Sequence, residues 1–215
     1  MVSRSLAQEL QSRRRSDINK GMDSLIQKLE YEAFRSGVQA RTTQSRTWFR
    51  NKMKEIGDVN RNRLLRDPAL QKRQRPGAGN MYMFFYDPKT KDSLPYYDSF
   101  PLIIMVEAAP GGFYGLNLHY LHPTLRAKLM DELLSITNNK RYDQSTKFKM
   151  SYQILKSANK LKAFQPCFKR YLTKHVESSF ALVEAPEWEV ALFLPTEQFR
   201  KKSARAVWAE SRRSM

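Results

Sequence analysis

The sequence has a single cysteine, Cys167, among its 215 residues. One thiol excludes an internal disulfide framework, and by itself it cannot supply the ligands of a structural zinc site. We therefore expect the chain to be made in a reducing compartment.

Long apolar runs are also missing. The chain opens Met-Val-Ser-Arg and reaches Arg13, Arg14 and Arg15 without the apolar segment of a signal peptide. No later window approaches the roughly 18 apolar residues that a membrane span requires. The sequence predicts a protein without a secretion signal or a membrane span, synthesised in the cytoplasm.

The motifs of the common enzyme classes are absent. There is no Gly-x-x-x-x-Gly-Lys-Ser/Thr, no Gly-x-Gly-x-x-Gly, no His-Glu-x-x-His and no Gly-x-Ser-x-Gly. Because no pattern places a nucleophile beside a base, we expect no enzymatic activity and no cofactor.

Two weaker arrangements concern metal chemistry. His119 and His122 are spaced as at the start of a metal-binding motif, but a third and a fourth ligand have no evident source. A nuclease that holds a divalent ion would need Asp87, Asp92 or Asp98. Each aspartate lies in a turn beside Pro, Ser or Lys, where Asp commonly stabilises the backbone. We therefore expect structural roles for these residues.

Positive charge is what the sequence has in excess. Its 38 Lys and Arg against 21 Asp and Glu give a net charge of +17, which predicts a polyanionic partner: nucleic acid first, an anionic membrane surface second. Residues 1–76 carry 18 basic against 8 acidic side chains and residues 140–179 carry 10 against 2, whereas residues 77–139 carry 4 against 6. Residues 197–215, with 6 against 2, form a third basic block, and the first two blocks flank a slightly acidic middle.

The first basic block has helical periodicity. Apolar residues from Leu6 to Ala33 recur at helical spacing, and Gly37 suits a helix end. A second helix is predicted after Thr42, with Gly57 as its weak point and a break at Asp67. We expect residues 1–76 to form a basic helical N-terminal arm.

The middle of the chain has the pattern of short strands. Residues 81–86, 102–106 and 113–120 are apolar or aromatic runs separated by turn-forming residues. Runs this short are most stable in a small barrel, and an amphipathic helix is predicted from Pro123. The predicted fold is α+β, with an antiparallel β-barrel-like module and flanking helices over residues 77–215.

The last third has mixed signals. We predict helices over residues 150–161, 166–175 and 203–213, and strands over residues 180–183 and 190–194.

Basic side chains are the candidate nucleic-acid-binding residues, because Lys and Arg neutralise phosphates. No base-reading motif is recognisable, so we expect sequence-independent binding of double-stranded DNA. The candidates are Arg13, Arg14, Arg15, Arg46, Arg50, Lys52, Arg61, Arg63, Lys147, Lys149, Lys169 and Arg170. No catalytic or metal-binding residue is predicted.

Several segments resemble a family of virion-associated proteins of T-even-like tailed phages. They are Met81-Tyr-Met-Phe-Phe-Tyr-Asp-Pro, Leu94-Pro-Tyr-Tyr-Asp-Ser-Phe-Pro, Gly112-Phe-Tyr-Gly-Leu-Asn-Leu-His-Tyr-Leu and Val207-Trp-Ala-Glu-Ser-Arg-Arg, and the resemblance covers about Asn80 to Arg213. Members are often labelled DNA end protector proteins, a head-completion function. The resemblance implies a virion or virion-assembly component made in the host cytoplasm, with other phage virion proteins as partners in a multi-subunit assembly.

Together, sequence and resemblance predict a non-enzymatic tailed-phage virion protein that contacts DNA through basic helical arms. The alternative is a tail, baseplate or connector subunit whose basic arm packs on acidic neighbouring virion proteins. In that case the apolar rows at residues 25–29 and 53–56 would form an interface rather than internal core. A third possibility, a DNA-processing nuclease, would require metal-dependent cleavage through Asp87 or Asp98.

Overall fold

The computed structural model describes residues 25–39, 42–137, 153, 162–184 and 187–213. Its α-helices are α1 (Leu25–Arg35), α2 (Thr43–Ile56), α3 (Arg61–Arg66), α4 (Pro123–Thr137), α5 (Trp188–Phe193) and α6 (Ala204–Arg213). Its strands are β1 (Lys72–Arg73), β2 (Met81–Met83), β3 (Tyr97–Asp98), β4 (Leu102–Ala109), β5 (Gly112–Asn117), β6 (Phe168–Leu172), β7 (Phe180–Val183) and β8 (Phe199–Arg200). Short 3₁₀ helices span Leu118–Tyr120, Lys162–Cys167 and Thr173–His175.

The predicted helix end at Gly37 is confirmed, whereas the second predicted helix, expected to continue to Asp67, is divided at its weak point Gly57 into α2 and α3. Gly37 follows α1 with φ 70° and Gly57 caps α2 with φ 66°, a backbone region in which glycine has no steric penalty. Thr42 begins α2 with a capping box, because its side chain accepts from the Ser45 amide while Ser45 Oγ accepts from the Thr42 amide.

Six strands form one antiparallel sheet in the order β1-β7-β2-β4-β5-β6, and β3 pairs with β8 in a separate two-stranded ladder. The β4–β5 hairpin turns at Gly111, which has φ 69° as its turn requires. A side chain at Gly112 would place its Cβ 1.9 Å from the Tyr171 carbonyl oxygen, so a glycine there permits the β5–β6 pairing.

Both faces of the sheet are buried. Met81 and Met83 point into a large core shared with the helices, while Tyr82 and Phe84 belong to an aromatic cluster on the other face. Phe84 lies within that cluster, with its ring centroid 4.9 Å from that of Phe180 and 5.4 Å from that of Tyr171 in T-shaped contacts. The period-2 pattern of β2 therefore separates two apolar layers rather than core from solvent.

Contacts beyond the strands link the end of β2 to the end of β6, but the described strands do not close into a barrel. Tyr86, just beyond β2, forms a bridge with Val176, and its hydroxyl accepts a hydrogen bond from the Leu172 amide at the end of β6. The strand order nevertheless ends at β1 and β6 in the part of the chain that the structure describes. The α+β class and the antiparallel sheet are confirmed, whereas the predicted barrel is not confirmed.

Two predicted elements are wrong. Residues 168–172, predicted as helix, form the sheet strand β6, and residues 190–194, predicted as strand, lie mostly in the helix α5. The helix predicted over residues 150–161 lies outside the described residues apart from residue 153, as does the stretch before residue 25.

The first three helices pack on the sheet. Ile26, Phe49 and Leu64, one from each helix, belong to the same core cluster as Met81 in β2, and the Phe49 ring stacks on that of Phe193 with centroids 6.2 Å apart. The described part of residues 1–76 also contributes β1, which pairs with β7. Among the described helices, none is long and apolar enough to cross a membrane.

A candidate nucleic-acid interface

Some of the predicted DNA contacts cannot be placed. Arg13, Arg14, Arg15, Lys147 and Lys149 lie outside the described residues. Their role in nucleic-acid binding stays a prediction.

Two of the predicted cations on α2 make ion pairs within the chain. The Arg46 guanidinium pairs with the Asp131 carboxylate on α4. Lys52 Nζ lies 3.0 Å from Glu32 Oε2 and 3.4 Å from Glu55 Oε2, beside a surface cleft of about 420 Å³ between α1 and α2. These pairs align α2 with α4 and with α1, and they offset part of the positive charge of this face.

Arg61 and Lys169 also have partners within the fold. Arg61 donates from Nε to the Thr196 carbonyl at 2.9 Å and from Nη2 to the Glu197 carbonyl at 2.8 Å. Lys169 Nζ lies 4.3 Å from the centroid of the Tyr120 ring, and burial lowers the pKa of this amine. Both cations therefore bind the protein itself.

The remaining predicted cations, Arg50, Arg63 and Arg170, are exposed. Arg170 also donates from Nη2 to the Pro110 carbonyl at 2.9 Å, which orients its guanidinium at the edge strand β6. Exposed guanidinium groups can bind phosphates without first breaking a buried contact.

The histidines and aspartates that the sequence offered as metal ligands lie in different environments, some buried and some at the surface. His119 is fully enclosed, with Nδ1 2.7 Å from Asp98 Oδ2 and Nε2 3.1 Å from Thr196 Oγ1. Asp87 instead pairs with Lys91 at the surface. The described residues contain no group of three His, Cys, Asp or Glu side chains placed to hold a metal ion.

A cationic corner forms where α2, the start of α4 and α6 meet, and we define it by Arg50, His122, Trp208 and Arg212. The rings of His122 and Trp208 meet edge to face with centroids 5.5 Å apart. A hydrogen bond fixes the indole, since Trp208 Nε1 donates to the His119 carbonyl at 2.8 Å.

The buried Arg126 supports this corner. Its guanidinium carbon lies 5.5 Å from the centroid of the Trp208 ring. It donates to the carbonyls of Leu121 at 2.8 Å, Leu192 at 3.0 Å and His119 at 3.3 Å. Burial lowers the pKa of Arg126, yet with a usual value of 12.5 the group remains a cation at neutral pH. A positive charge therefore lies beneath the indole, and the Glu197 carboxylate, with Oε2 3.7 Å from Arg126 Nη2, offsets part of it.

The charges of the corner act on His122. Burial lowers the pKa of the imidazole, and the positive charges of Arg212, Arg126 and Arg50 lower it further. The neutral ring is held in one tautomer, because Nδ1 accepts from the Thr124 amide at 3.3 Å and the hydrogen therefore resides on Nε2. The corner thus has positive potential and suits an anionic ligand.

Sequence reasoning included Arg50 in this surface and missed His122, Trp208 and Arg212. A signal existed for the last two, since four residues separate them on a predicted basic helix, which places them on one helix face. No sequence pattern predicts that this helix face packs beside the start of α4.

Comparisons with known proteins gave one informative match. The sequence model of a family described as Phage T4 terminal DNA protecting protein matches residues 4–211. No curated protein and no solved structure matches the chain. The family match agrees with the resemblance seen over about Asn80 to Arg213 and extends it through the N-terminal helices.

Proposed function

This chain belongs to the family of the phage T4 terminal DNA protecting protein, and we propose that it protects the ends of phage DNA by binding them without cutting them. The observation that carries the proposal is the family match over residues 4–211, which takes in the basic N-terminal block as well as the sheet. The family description names protection of a DNA terminus and no reaction.

The charge of the chain supports direct contact with DNA. A net charge of +17 is far more than a chain of this length needs for solubility. Affinity would come from phosphate neutralisation and counterion release, which is independent of base sequence. Binding to any duplex end suits a protein that must act whatever sequence the terminus carries.

The structure narrows the side chains available for this contact. Arg50, Arg63 and Arg170 are exposed, so we assign them to the DNA-contacting surface together with the predicted cations outside the described residues. Arg46 and Lys52 would first have to exchange their carboxylate partners for phosphates. We expect these two to contribute mainly to the packing of the helices.

The protein would act within the phage particle, among other virion proteins, as a component of head completion. A tail, baseplate or connector subunit is the second candidate, and the exposure of Tyr31 at 39% and Phe34 at 53% on α1 favours some protein contact. The apolar rows that this alternative would place at an interface are less available, because Ile26, Leu29 and Met53 lie in the core of the chain.

Binding of the full-length protein to a blunt linear duplex, measured across a range of salt concentrations, tests the proposal. We expect log K to fall linearly with log salt, at about 0.9 for each phosphate neutralised. Replacing Arg63 and Arg170 by Glu should weaken binding and lower that slope by about 2.

The matched control replaces two other exposed cations, Lys28 and Lys89, by Glu, which changes the net charge equally. If both pairs of substitutions weaken DNA binding equally, the binding is general charge attraction and Arg63 and Arg170 are not part of a defined DNA-contacting surface. Weak, salt-insensitive binding by the unmodified protein would refute DNA contact and favour the subunit alternative.

A further inference from the structure

The cationic corner is assembled from three helices that are fixed relative to one another. The Arg46–Asp131 ion pair holds α2 against α4, and Arg50 lies one turn beyond Arg46 on the same helix face. On α6, Arg212 lies one turn beyond Trp208, whose indole is anchored by its hydrogen bond to the His119 carbonyl. Contacts within the fold therefore hold the helices that carry the corner.

Side chains rather than the helix terminus make this surface. The amides at the start of α4 already bond to His122, since Leu125 and Arg126 donate to its carbonyl at 2.8 and 3.1 Å and Thr124 donates to its Nδ1. A ligand would thus meet the imidazole Nε2–H and the two exposed guanidinium groups.

The charged groups that act on His122 from the described residues are all cations. They lie on three different helices: Arg50 on α2, Arg126 on α4 and Arg212 on α6. Clustered like charges repel one another, and an anion bound among them would relieve that repulsion. Glu197 Oε2, 3.7 Å from Arg126 Nη2, offsets part of the buried charge, whereas Arg50 and Arg212 are exposed.

We propose that the cationic corner binds one phosphate group of DNA between Arg50 and Arg212, with the Nε2–H of His122 as a third donor. The inference rests on the proposed function and specifies where a phosphate is held. The planar guanidinium groups suit bidentate contact with phosphate oxygens. The ligand is either a terminal phosphate monoester or an internal diester, and a monoester carries the greater charge.

The titration of His122 reports directly on this site. A phosphate would offset the cations that lower the pKa of His122, so we expect this pKa to rise by about one unit when DNA is bound. By linkage, affinity should increase up to about tenfold as the pH falls through the range between the two pKa values. NMR of the full-length protein can follow this, because the chain has three histidines.

Three short duplexes of one sequence separate the sources of phosphate: one with 5′-phosphates, one with 5′-hydroxyls and one closed by hairpins at both ends. A larger shift of His122 with the 5′-phosphate duplex assigns a terminal phosphate. Equal shifts with all three assign an internal phosphate. The resonance is identified with His122→Gln, and His175, elsewhere in the fold, serves as the internal reference.

Arg212→Gln provides the second readout, with Arg213→Gln on the adjacent exposed residue as its matched control. In the free protein, Arg212→Gln should raise the pKa of His122 because one of the lowering charges is lost. It should also weaken duplex binding about tenfold and reduce the DNA-induced shift. Arg213→Gln should do neither.

The results distinguish a failure of the proposed phosphate site from a failure of the proposed function. If the protein binds the two open-ended duplexes while the pKa of His122 does not rise, the cationic corner is not the phosphate site and the proposed function stands. If no duplex binds, the proposed function itself fails. Equal weakening by Arg212→Gln and Arg213→Gln, without a smaller shift of His122, would also overturn the site.

Discussion

At the scale of single residues, Asp98 joins separate parts of the fold through buried polar contacts. Its Oδ2 lies 2.7 Å from His119 Nδ1 and accepts from Asn117 Nδ2 at 3.1 Å, and its Oδ1 accepts from the amides of Phe100 and Gln198, each at 3.1 Å. These partners belong to β5, the 3₁₀ helix that follows it, the residues after β3 and the segment before β8. The network therefore positions the two-stranded ladder on the main sheet.

The network also determines how Asp98 titrates. Burial raises its pKa, but the charge of His119 and the hydrogen bonds from His119, Asn117 and the Phe100 amide outweigh burial, so the pKa lies below its ordinary 3.8. A depressed carboxyl pKa stabilises the fold above the unfolded-state value. That contribution is lost as the pH falls below 3.8 through the folded-state pKa.

We predict that Asp98→Ala lowers the free energy of unfolding by about 3 kcal/mol at pH 7, since it leaves the buried His119 and two amides without their acceptor. Urea denaturation measures the change. Asp92→Ala, at an exposed turn position, is the control and should stay within about 0.5 kcal/mol of the unmodified protein. Equal stability of the two variants would show that the buried network contributes nothing.

At the scale of elements, the junction of α1 with α5 contains a protonatable contact. Glu187, 8% exposed, precedes α5. Burial raises its pKa to about 7, and the charges of Glu184 and of Glu30 on α1 add to the increase, whereas hydrogen bonds from the Glu184 amide and Gln27 oppose it. Near neutral pH the carboxyl is therefore about half protonated.

A raised pKa stabilises the fold below the unfolded-state value of 4.5, and the contribution is lost as the pH rises through about 7. We predict that the unmodified protein loses about 2–3 kcal/mol from this residue between pH 5 and pH 8. Glu187→Gln should remove that loss, and Glu177→Gln, at an exposed site, should retain it. Urea unfolding at pH 5 and pH 8 measures these free energies. The same loss of stability in both variants would contradict the assignment of the pH dependence to Glu187.

The elements also show where sequence patterns fail. Phe168, Tyr171 and Leu172 fit a helical face, yet the segment is β6, because Tyr171 packs in the aromatic cluster and the strand pairs with β5. In α5, residues 190–193 are all buried, so the apolar run has no period that would distinguish an enclosed helix from a strand. In both segments, burial in the tertiary structure determined the secondary structure. The capped helices and the β4–β5 hairpin were predictable because glycines and caps act locally.

At the scale of the whole molecule, the basic N-terminal block and the sheet share one core. Ile26, Phe49 and Leu64 pack with residues of the sheet, so much of the described arm is structural, although the domain boundary at residue 76 stays a prediction. The sequence showed the excess of cations. It could not show which of them meet carboxylates or carbonyls, because partners such as Asp131 and Thr196 are distant along the chain.

The central claim is that this protein shields DNA ends by binding. Digestion of a blunt linear duplex by an exonuclease, with full-length protein added at about one molecule per end, tests it most directly. A restriction site far from both ends, cut in a parallel reaction, reports on general coating of the DNA.

We predict that exonuclease digestion slows at least tenfold, that internal cleavage proceeds at the rate of naked DNA, and that the duplex remains uncut when only the protein and a divalent ion are present. End digestion at the rate of naked DNA, under conditions where the protein is bound, would contradict the account. So would equal protection of the internal site, or cleavage by the protein itself.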